Sequence, residues 1–280
     1  MAIKAIISGI KRMEIHDGDG IRTTVFFKGC PLKCIWCHNP ESISRKPEVA
    51  FFKEKCISCG ACGGRGADFL HSDAHKNCPT EALKLYGIEY DSDELLKIVE
   101  KDAPFFKNSG GGVTFSGGEC LMQADFAVEL AEKLKKRGIG VFIDTCGFAP
   151  RSAFERILPY ADAFLYDVKA IDSEVHKRLT ARENELILEN LRFLSQAGAT
   201  LEIRIPLVKG CNDGQIPLIG EFLKPLSGIR GVKVLRYHNF AASRYEALGM
   251  ENTLPPSITS DGDVVNAVEE LKKFGLRAFK

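Results

Sequence analysis

The sequence carries almost no net charge and contains no long apolar segment. Across 280 residues, 38 lysines and arginines oppose 37 aspartates and glutamates, which gives a net charge of +1. Such a balance argues against broad binding of nucleic acid or of anionic membranes. No apolar run approaches the roughly 20 residues of a membrane-spanning helix, and the short apolar stretch near the N-terminus lacks the pattern of a signal peptide. We therefore expect a cytoplasmic protein that binds neither nucleic acid nor membrane.

Cysteine, by contrast, is abundant. The chain has 10 cysteines, and seven of them fall between Cys30 and Cys78. The cytoplasm keeps thiols reduced, so clustered cysteines there indicate metal binding rather than disulfides. The other three, Cys120, Cys146 and Cys211, are scattered, and we expect them to be small buried apolar residues.

Strand patterns alternate with amphipathic helical patterns along most of the chain. Strands are predicted over residues 21–28, 112–117, 139–144, 163–169, 201–208 and 232–237, and helices over 126–138, 189–198 and 263–275. About six repeats of strand and helix predict an α/β fold with a parallel sheet, closed wholly or partly into a barrel. The expected form is a partial (β/α)6 TIM-like barrel with its chemistry at the carboxyl ends of the strands. An open, doubly wound sheet is the structural alternative.

Residues 47–90 interrupt this alternation. They are rich in glycine and cysteine and poor in apolar runs, which favours a small inserted metal-binding module. The barrel would then consist of residues 1–46 and 91–280. A helical pattern resumes over 91–102, where Asp91 and Glu94 have the spacing of a capping box.

The first three cysteines form a C-x3-C-x2-C loop directly after the first predicted strand: Cys30, Cys34 and Cys37. A zinc site needs a fourth ligand, and His38 adjoins Cys37 too closely to bind the same ion. A disulfide is disfavoured by the compartment. An iron–sulfur cluster of four irons with three protein thiolates is the third interpretation, and it leaves one iron open to a substrate.

The segments "GCPLKCIWCHNPES" (29–42) and "IHDGDGIRTTVFFKGC" (15–30) carry a family resemblance. The first resembles the cluster loop of radical S-adenosylmethionine (SAM) enzymes. The second is similar to the glycyl-radical-enzyme activating enzymes, the family of pyruvate formate-lyase-activating enzyme. The resemblance implies an anaerobic oxidoreductase that cleaves SAM at a [4Fe–4S] cluster held by Cys30, Cys34 and Cys37. The resulting 5′-deoxyadenosyl radical would remove hydrogen from a glycine Cα of a partner glycyl radical enzyme, with a flavodoxin or ferredoxin-type protein as electron donor.

The resemblance also assigns residues to SAM and to a monovalent cation. In "NSGGGVTFSGGE" (108–119), Gly117, Gly118 and Glu119 match the glycine-rich segment beside the methionyl amino group. Trp36 matches an aromatic residue beside the adenine. The other SAM-binding residues implied are Cys37, His38, Asp167, Val168, Lys169, Arg204 and His238, with Lys169 meeting the carboxylate. The implied cation ligands are Asp144, Thr145, Asp167 and the carbonyl of Leu165.

Asp17 matches a residue that faces the glycine loop of the partner, and it is the fourth residue assigned to catalysis. We expect its loop to border the mouth of the barrel. Asp19 stands where relatives commonly have proline, which makes this turn less rigid.

The insert resembles a ferredoxin motif in part. Cys56, Cys59 and Cys62 have the C-x2-C-x2-C spacing, but Cys78 follows 16 positions after Cys62. Four cysteines are enough for one fully ligated auxiliary [4Fe–4S] cluster. Zinc bound by the same four is the alternative, and His71 or His75 could replace Cys78 as ligand.

Two other functions stay open at this point. One is a radical SAM enzyme that acts on a small molecule or a nucleotide. The other is a non-catalytic protein that transfers electrons through an iron–sulfur cluster or binds zinc.

Overall fold

The computed structural model describes residues 3–63 and 73–280, and eleven strands are found in these ranges. They are β1 (Lys4–Glu14), β2 (Arg22–Phe27), β3 (Glu48–Phe51), β4 (Leu83–Tyr86), β5 (Ile88–Asp91), β6 (Gly112–Gly117), β7 (Gly140–Thr145), β8 (Ala163–Asp167), β9 (Leu201–Leu207), β10 (Ile229–Arg236) and β11 (Ala278–Phe279). Nine form one sheet in the order β11-β10-β9-β8-β7-β6-β2-β1-β5, and β3 pairs with β4 in a separate hairpin.

The six strands expected from the sequence appear as β2 and β6 to β10, and all six are parallel neighbours. Their order in the sheet follows their order along the chain without a reversal. A doubly wound sheet reverses its strand order at the point where the ligand binds. The doubly wound alternative is therefore wrong, and the α/β fold with a parallel sheet is confirmed.

The sheet is curled around one face. The guanidinium of Arg230 on β10 lies 5.2 Å from the centre of the Phe142 ring on β7. Three strand intervals separate these residues, which is about 14 Å in a flat sheet. Arg204 on β9 likewise donates a hydrogen bond to the backbone carbonyl of His16 in the β1–β2 loop. The strands therefore bend toward each other, as in a partial barrel that is open at β11 and β5.

Nine α-helices lie within the described ranges. They are α1 (Ser92–Val99), α2 (Ala103–Ser109), α3 (Ala124–Lys136), α4 (Arg151–Ile157), α5 (Ser173–Thr180), α6 (Glu185–Gln196), α7 (Ile216–Leu223), α8 (Ala242–Ala247) and α9 (Asp261–Lys272). The expected capping box of α1 is confirmed: Asp91 accepts from the backbone of Glu94, and the side chain of Glu94 accepts from the backbone of Asp91. Apolar side chains of α1, α3, α6, α7 and α9 pack with the strands in the main core. No helix among the described residues is long and apolar enough to cross a membrane.

The structure adds strands that the sequence analysis did not predict. β1 pairs antiparallel with β2 on one side and with β5 on the other. Since β5 covers Ile88–Asp91, the expected end of the insert at residue 90 falls inside a strand of the main sheet. β3 lies near the start of the insert and β4 near its end, and the two strands pair as a hairpin with Glu48 opposite Tyr86.

Candidate active site

The carboxyl ends of the parallel strands surround a cavity of about 260 Å³. This is the end of the sheet where parallel β/α folds place their chemistry. The predicted site residues that line the cavity are Cys30, Cys34, Trp36, Cys37, His38, Gly117, Gly118, Asp144, Thr145, Asp167, Lys169 and Arg204. The predicted residues Asp17, Glu119, Val168 and His238 lie outside this lining. The fold thus brings most of the predicted site residues together in one cavity, although they come from five different strands.

The cysteine loop is closed at its base by main-chain contacts. The amide of Gly29 donates a 2.8 Å hydrogen bond to the carbonyl of Ser42, so the chain returns beside its starting point. Within the loop, burial raises the pKa of Cys34 to about 12, and burial likewise raises the pKa of Cys37. Thiolates, not thiols, bind metals. Metal binding must therefore displace protons from these cysteines.

Cys146 is a cavity residue that the sequence analysis treated only as a buried apolar residue. It is buried, as expected, but it lines the same cavity as Cys30. The hydrogen bond between the two thiols is the main cause that lowers the pKa of Cys30 and raises that of Cys146. Cys146 lies two residues after the strand predicted over 139–144, and that position at a strand end could have indicated a cavity residue. Cys120 is also buried, whereas Cys211 is partly exposed, so the expected burial is wrong for Cys211.

The two glycines at the end of β6 pack against the base of the cysteine loop. Gly117 has a φ of 110°, and a Cβ there would lie 2.3 Å from the backbone nitrogen of Phe27. A Cβ on Gly118 would lie 2.4 Å from the carbonyl oxygen of Gly29. Both separations are shorter than a van der Waals contact, so only glycine fits. These residues therefore fix the loop base, in addition to any contact with SAM.

Glu119 lies behind the cavity wall instead of facing the cavity. Its buried carboxylate accepts a 2.8 Å hydrogen bond from the hydroxyl of Thr145 and another of 2.8 Å from the amide of Cys146. It also accepts a 3.1 Å bond from the amide of Leu121. Glu119 thus orients the turn after β7, which holds two residues of the cavity lining.

A buried ion pair follows β8. Lys169 Nζ donates a 2.6 Å hydrogen bond to Asp167 Oδ2. Burial opposes the charge of Lys169, but Asp167 and the neighbouring thiols outweigh it and raise its pKa. Val168, between the two, is buried in the main core, so only its backbone can serve the cavity. The chain therefore presents a fixed positive charge to the cavity.

Asp144 and Arg204 form the opposite part of the charged wall. Asp144 Oδ2 accepts a 2.6 Å hydrogen bond from Ser116, and its Oδ1 lies 3.7 Å from Arg204 Nη1. Loss of hydration raises the pKa of Asp144 to about 7. The positive charge of Arg204 lowers this pKa, and the negative charge of Asp167 raises it further. A cation bound here would favour the charged carboxylate.

Asp17 lies in the segment that directly precedes β2, so this segment enters the sheet at the amino end of that strand, whereas the cysteine loop leaves its carboxyl end. Asp17 Oδ2 accepts a 2.8 Å hydrogen bond from Thr24 on β2, and its Oδ1 lies 3.8 Å from Arg204 Nη1. Asp17 does not itself line the cavity, and its role at the mouth stays a prediction. Asp17 lies inside the curled sheet and reaches the cavity wall through Arg204.

Aromatic rings line the remaining wall. Trp36 packs with Tyr237 in a small apolar cluster, and both line the cavity. The ring of His38 stacks on that of His238 at 4.3 Å, and His238 stacks on Phe240 at 4.4 Å. His238 itself does not line the cavity, whereas its neighbours His38 and Tyr237 do, and the predicted contact of His238 with SAM stays a prediction.

The four cysteines of the insert line a second cavity. Cys56, Cys59, Cys62 and Cys78 surround it together with residues of the β3–β4 hairpin. A backbone hydrogen bond from Leu83 is the main cause that lowers the pKa of Cys78. Of the alternative ligands, His75 is not part of this lining, and His71 lies outside the described residues.

Sequence comparisons place these features in one family. The model of the radical SAM superfamily matches residues 24–223. Trans-4-hydroxy-L-proline dehydratase activating enzyme of Clostridioides difficile is 42% identical over 87% of this chain and 87% of its own length. Choline trimethylamine-lyase activating enzyme of Oleidesulfovibrio alaskensis is 38% identical over 97% and 96%. Pyruvate formate-lyase 2-activating enzyme of Escherichia coli is 37% identical over 98% and 91%.

Solved structures agree with this result. A domain of pyruvate-formate lyase-activating enzyme from Bacteroides vulgatus matches with a TM-score of 0.52 at 30% identity, over 60% of this chain and 98% of that domain. SuiB of Streptococcus suis bound to S-adenosylmethionine has a TM-score of 0.56 at 14% identity, over 88% of this chain and 45% of its own, which shows a shared fold. The chain belongs to the radical SAM superfamily and, within it, to the activating enzymes of glycyl radical enzymes.

Proposed function

We propose that the cavity at the carboxyl ends of the strands binds SAM and yields a 5′-deoxyadenosyl radical that takes a hydrogen atom from a glycine Cα of a partner glycyl radical enzyme. One observation carries this proposal. Three cysteines of a single loop, a glycine-rich strand end and a fixed lysine and arginine line the same cavity, in a chain that matches activating enzymes over most of their length.

A [4Fe–4S] cluster fits the cysteine loop. Cys30, Cys34 and Cys37 share the cavity, and their loop offers no fourth cysteine. A structural zinc ion takes four protein ligands, whereas a cluster of four irons can be held by three thiolates with one iron left open. When bound, the cluster supplies the electron that breaks the sulfonium bond of SAM. Cys30, Cys34 and Cys37 would hold three of its irons, and the fourth would have no protein ligand.

The charged and aromatic walls suit the two ends of SAM. Lys169 and Arg204 supply positive charge for the methionyl carboxylate, and charge-assisted hydrogen bonds of this kind are among the strongest in proteins. Gly117 and Gly118 line the cavity, so their backbone can contact the amino group. Trp36 offers an apolar face for the adenine.

A monovalent cation is proposed beside the SAM carboxylate, with Asp144, Thr145, Asp167 and the carbonyl of Leu165 as ligands. Thr145 donates its hydroxyl proton to Glu119 and accepts one bond from the amide of Gly147, which leaves one lone pair for a cation. The raised pKa of Asp144 supports the assignment, because a cation would stabilise its charged form. Oxygen donors are the ligands that hard cations prefer.

The insert is proposed as a module with one auxiliary [4Fe–4S] cluster on Cys56, Cys59, Cys62 and Cys78. All four line one cavity, so the insert offers as many thiolates as one fully ligated cluster needs. A flavodoxin or ferredoxin-type protein is the proposed electron donor, and the cytoplasm is the proposed location. The near-neutral charge favours partners other than nucleic acid or membrane.

The test mixes the reduced, reconstituted protein with SAM and a glycyl radical enzyme from the same source, without oxygen. We expect methionine and 5′-deoxyadenosine to form and a glycine-centred radical to appear by electron paramagnetic resonance (EPR). SAM cleavage that leaves every such partner without a radical, but responds to a small molecule, would favour the small-molecule enzyme. Absence of SAM cleavage would favour the non-catalytic protein.

A further inference from the structure

The end of α5 pairs with the backbone of the cysteine loop. The amide of Lys33 donates a 2.8 Å hydrogen bond to the carbonyl of Thr180, and the amide of Ile35 donates a 3.0 Å bond to the carbonyl of Leu179. The last carbonyls of an α-helix accept no hydrogen bond from within the helix, so they can accept hydrogen bonds from other segments. The two bonds hold the chain on both sides of Cys34.

A third contact extends this pairing. Arg182 Nε donates a 3.1 Å hydrogen bond to the carbonyl of Pro31. Every second residue of the loop, Pro31, Lys33 and Ile35, is therefore bound to the segment 179–182. Between these contacts Ala181 adopts a left-handed conformation, with a φ of 62°. A side chain is unfavourable in that conformation, so surrounding contacts must stabilise the turn.

His176 supplies such a contact. It is buried on α5, and its Nδ1 lies 2.7 Å from the carbonyl oxygen of Arg182. A carbonyl only accepts, so Nδ1 carries the proton in this contact. The hydroxyl of Thr180 also donates a 2.9 Å bond to the carbonyl of His176. The histidine thus holds the backbone on the far side of the left-handed residue and keeps the helix end in the form that pairs with the loop.

We infer that His176 and Arg182 are positioning residues that hold the cysteine loop in its cluster-binding shape through the end of α5. The inference rests on the proposed function of the loop. A loop that must bring three thiols around one cluster loses conformational freedom, and a template that orders it beforehand lowers that cost. Leu179 adds an apolar contact, because it packs in the same small cluster as Trp36 and Cys34. Loosening the template should therefore disturb the cluster and SAM together.

Two histidine variants test the contact. In His176→Asn the amide nitrogen lies near the former Nδ1 and can still donate to Arg182, whereas in His176→Gln it lies near the former Nε2. Each protein is reconstituted with limiting iron, and iron per chain, SAM affinity and the EPR change on adding SAM are measured. We expect His176→Gln to load iron more slowly, to bind SAM several-fold more weakly and to give a heterogeneous signal. His176→Asn should stay close to wild type.

Arg182→Ala tests the third contact at an exposed position, where the fold should tolerate the change. Arg192→Ala is its matched control, because the guanidinium of Arg182 lies over the Phe148 ring and that of Arg192 lies over the Phe222 ring. Among the described residues, however, Arg192 has no hydrogen bond to the loop. We expect slower loading and weaker SAM binding for Arg182→Ala alone.

Wild-type loading, SAM affinity and EPR response in both His176→Gln and Arg182→Ala would overturn the inference. A lower melting temperature with unchanged cluster signals would overturn it too, since the residues would then only stabilise the fold. Failure of the wild-type protein to cleave SAM would instead contradict the proposed function.

Discussion

Lys169 donates a 2.6 Å hydrogen bond to Asp167, and both side chains line the cavity proposed for SAM. Asp167 is the last residue of β8 and Lys169 follows it two positions later, so the pair needs no distant element to align it. Lys169 is only 6% exposed, and its partner keeps it charged where little water reaches it. An entering carboxylate therefore meets a positive group that is already desolvated and oriented.

Lys169→Met should weaken SAM binding while the clusters remain, because the change removes the charge but no metal ligand. A lost charge-assisted hydrogen bond costs about 1.5–3 kcal/mol, which corresponds to roughly a 10- to 100-fold higher Kd. Equilibrium binding of SAM to the reconstituted protein measures it. Lys177→Met removes an exposed surface pair with Glu183 and serves as control. Equal SAM affinity in Lys169→Met and wild type would show that the lysine does not contact the ligand.

Glu119→Gln should lower stability and weaken SAM binding together. One carboxylate oxygen accepts from Thr145 and from the amide of Cys146, and the other accepts from the amide of Leu121. A glutamine can place its NH₂ group at either of the two oxygen positions, and at each position the NH₂ would face a backbone N–H donor. A buried donor left without an acceptor costs about 1–3 kcal/mol. Anaerobic melting curves and SAM titration measure both effects. A variant that melts like wild type would contradict this account of Glu119.

The insert should hold iron. We expect about eight irons per chain in wild type and about four in Cys56→Ala, whose remaining cluster should still respond to SAM in its EPR spectrum. Cys211→Ala is the control and should keep all the iron, since Cys211 lines neither cavity. Stoichiometric zinc together with only about four irons in wild type would refute the auxiliary cluster.

Asp17→Ala should retain both clusters, lose most radical formation on the partner and bind SAM several-fold more weakly. The last effect is expected because Asp17 is one of the carboxylates that face Arg204 on the cavity wall. SAM titration and the EPR assay of the partner separate the two effects. Unchanged SAM affinity together with lost activation would show that Asp17 acts only in docking the partner. Activation at the wild-type rate would exclude a role in docking and in SAM binding.

Asp102→Asn should make stability less dependent on pH. The buried Asp102 accepts hydrogen bonds from Arg12 and a 2.6 Å bond from the hydroxyl of Thr23, and the bonds from Arg12 are the main cause that lowers its pKa. The folded pKa lies below the unfolded value of about 3.9, so this stability is present above that pH and is lost as pH falls through the folded pKa. Wild type should melt several degrees above the variant at pH 7, and the difference should shrink below about pH 4. A difference that stays constant with pH would rule out the charge of Asp102 as its source.

Local patterns were enough to predict the six parallel strands, the capping box of α1 and the cysteine loop. Each depends on residues that are neighbours in sequence, as Asp91 and Glu94 are. The antiparallel strands were missed because nothing local in Lys4–Glu14 specifies pairing with both β2 and the distant β5.

Within the site, residue types were predicted better than their contacts. The position of Glu119 after Gly117 and Gly118 was visible in the sequence, but its bond to Thr145 on another strand was not. The pairing of α5 with the loop uses backbone carbonyls of Leu179 and Thr180, which any residue type provides. Contacts of this kind leave no signature in a single sequence.

The hairpin of β3 and β4 closes the insert at its base. Glu48 and Tyr86 are paired across it, so the chain departs from the barrel and rejoins it at neighbouring positions. Paired residues on antiparallel strands lie about 5 Å apart, a gap that a turn of two residues can bridge. Such a junction lets a whole segment be gained or deleted during evolution without a break in the surrounding chain. The buried Lys28 would keep its charge paired after such a deletion, because its partners, Glu48 and the carbonyls of Glu41 and Ser44, all lie outside the deleted segment.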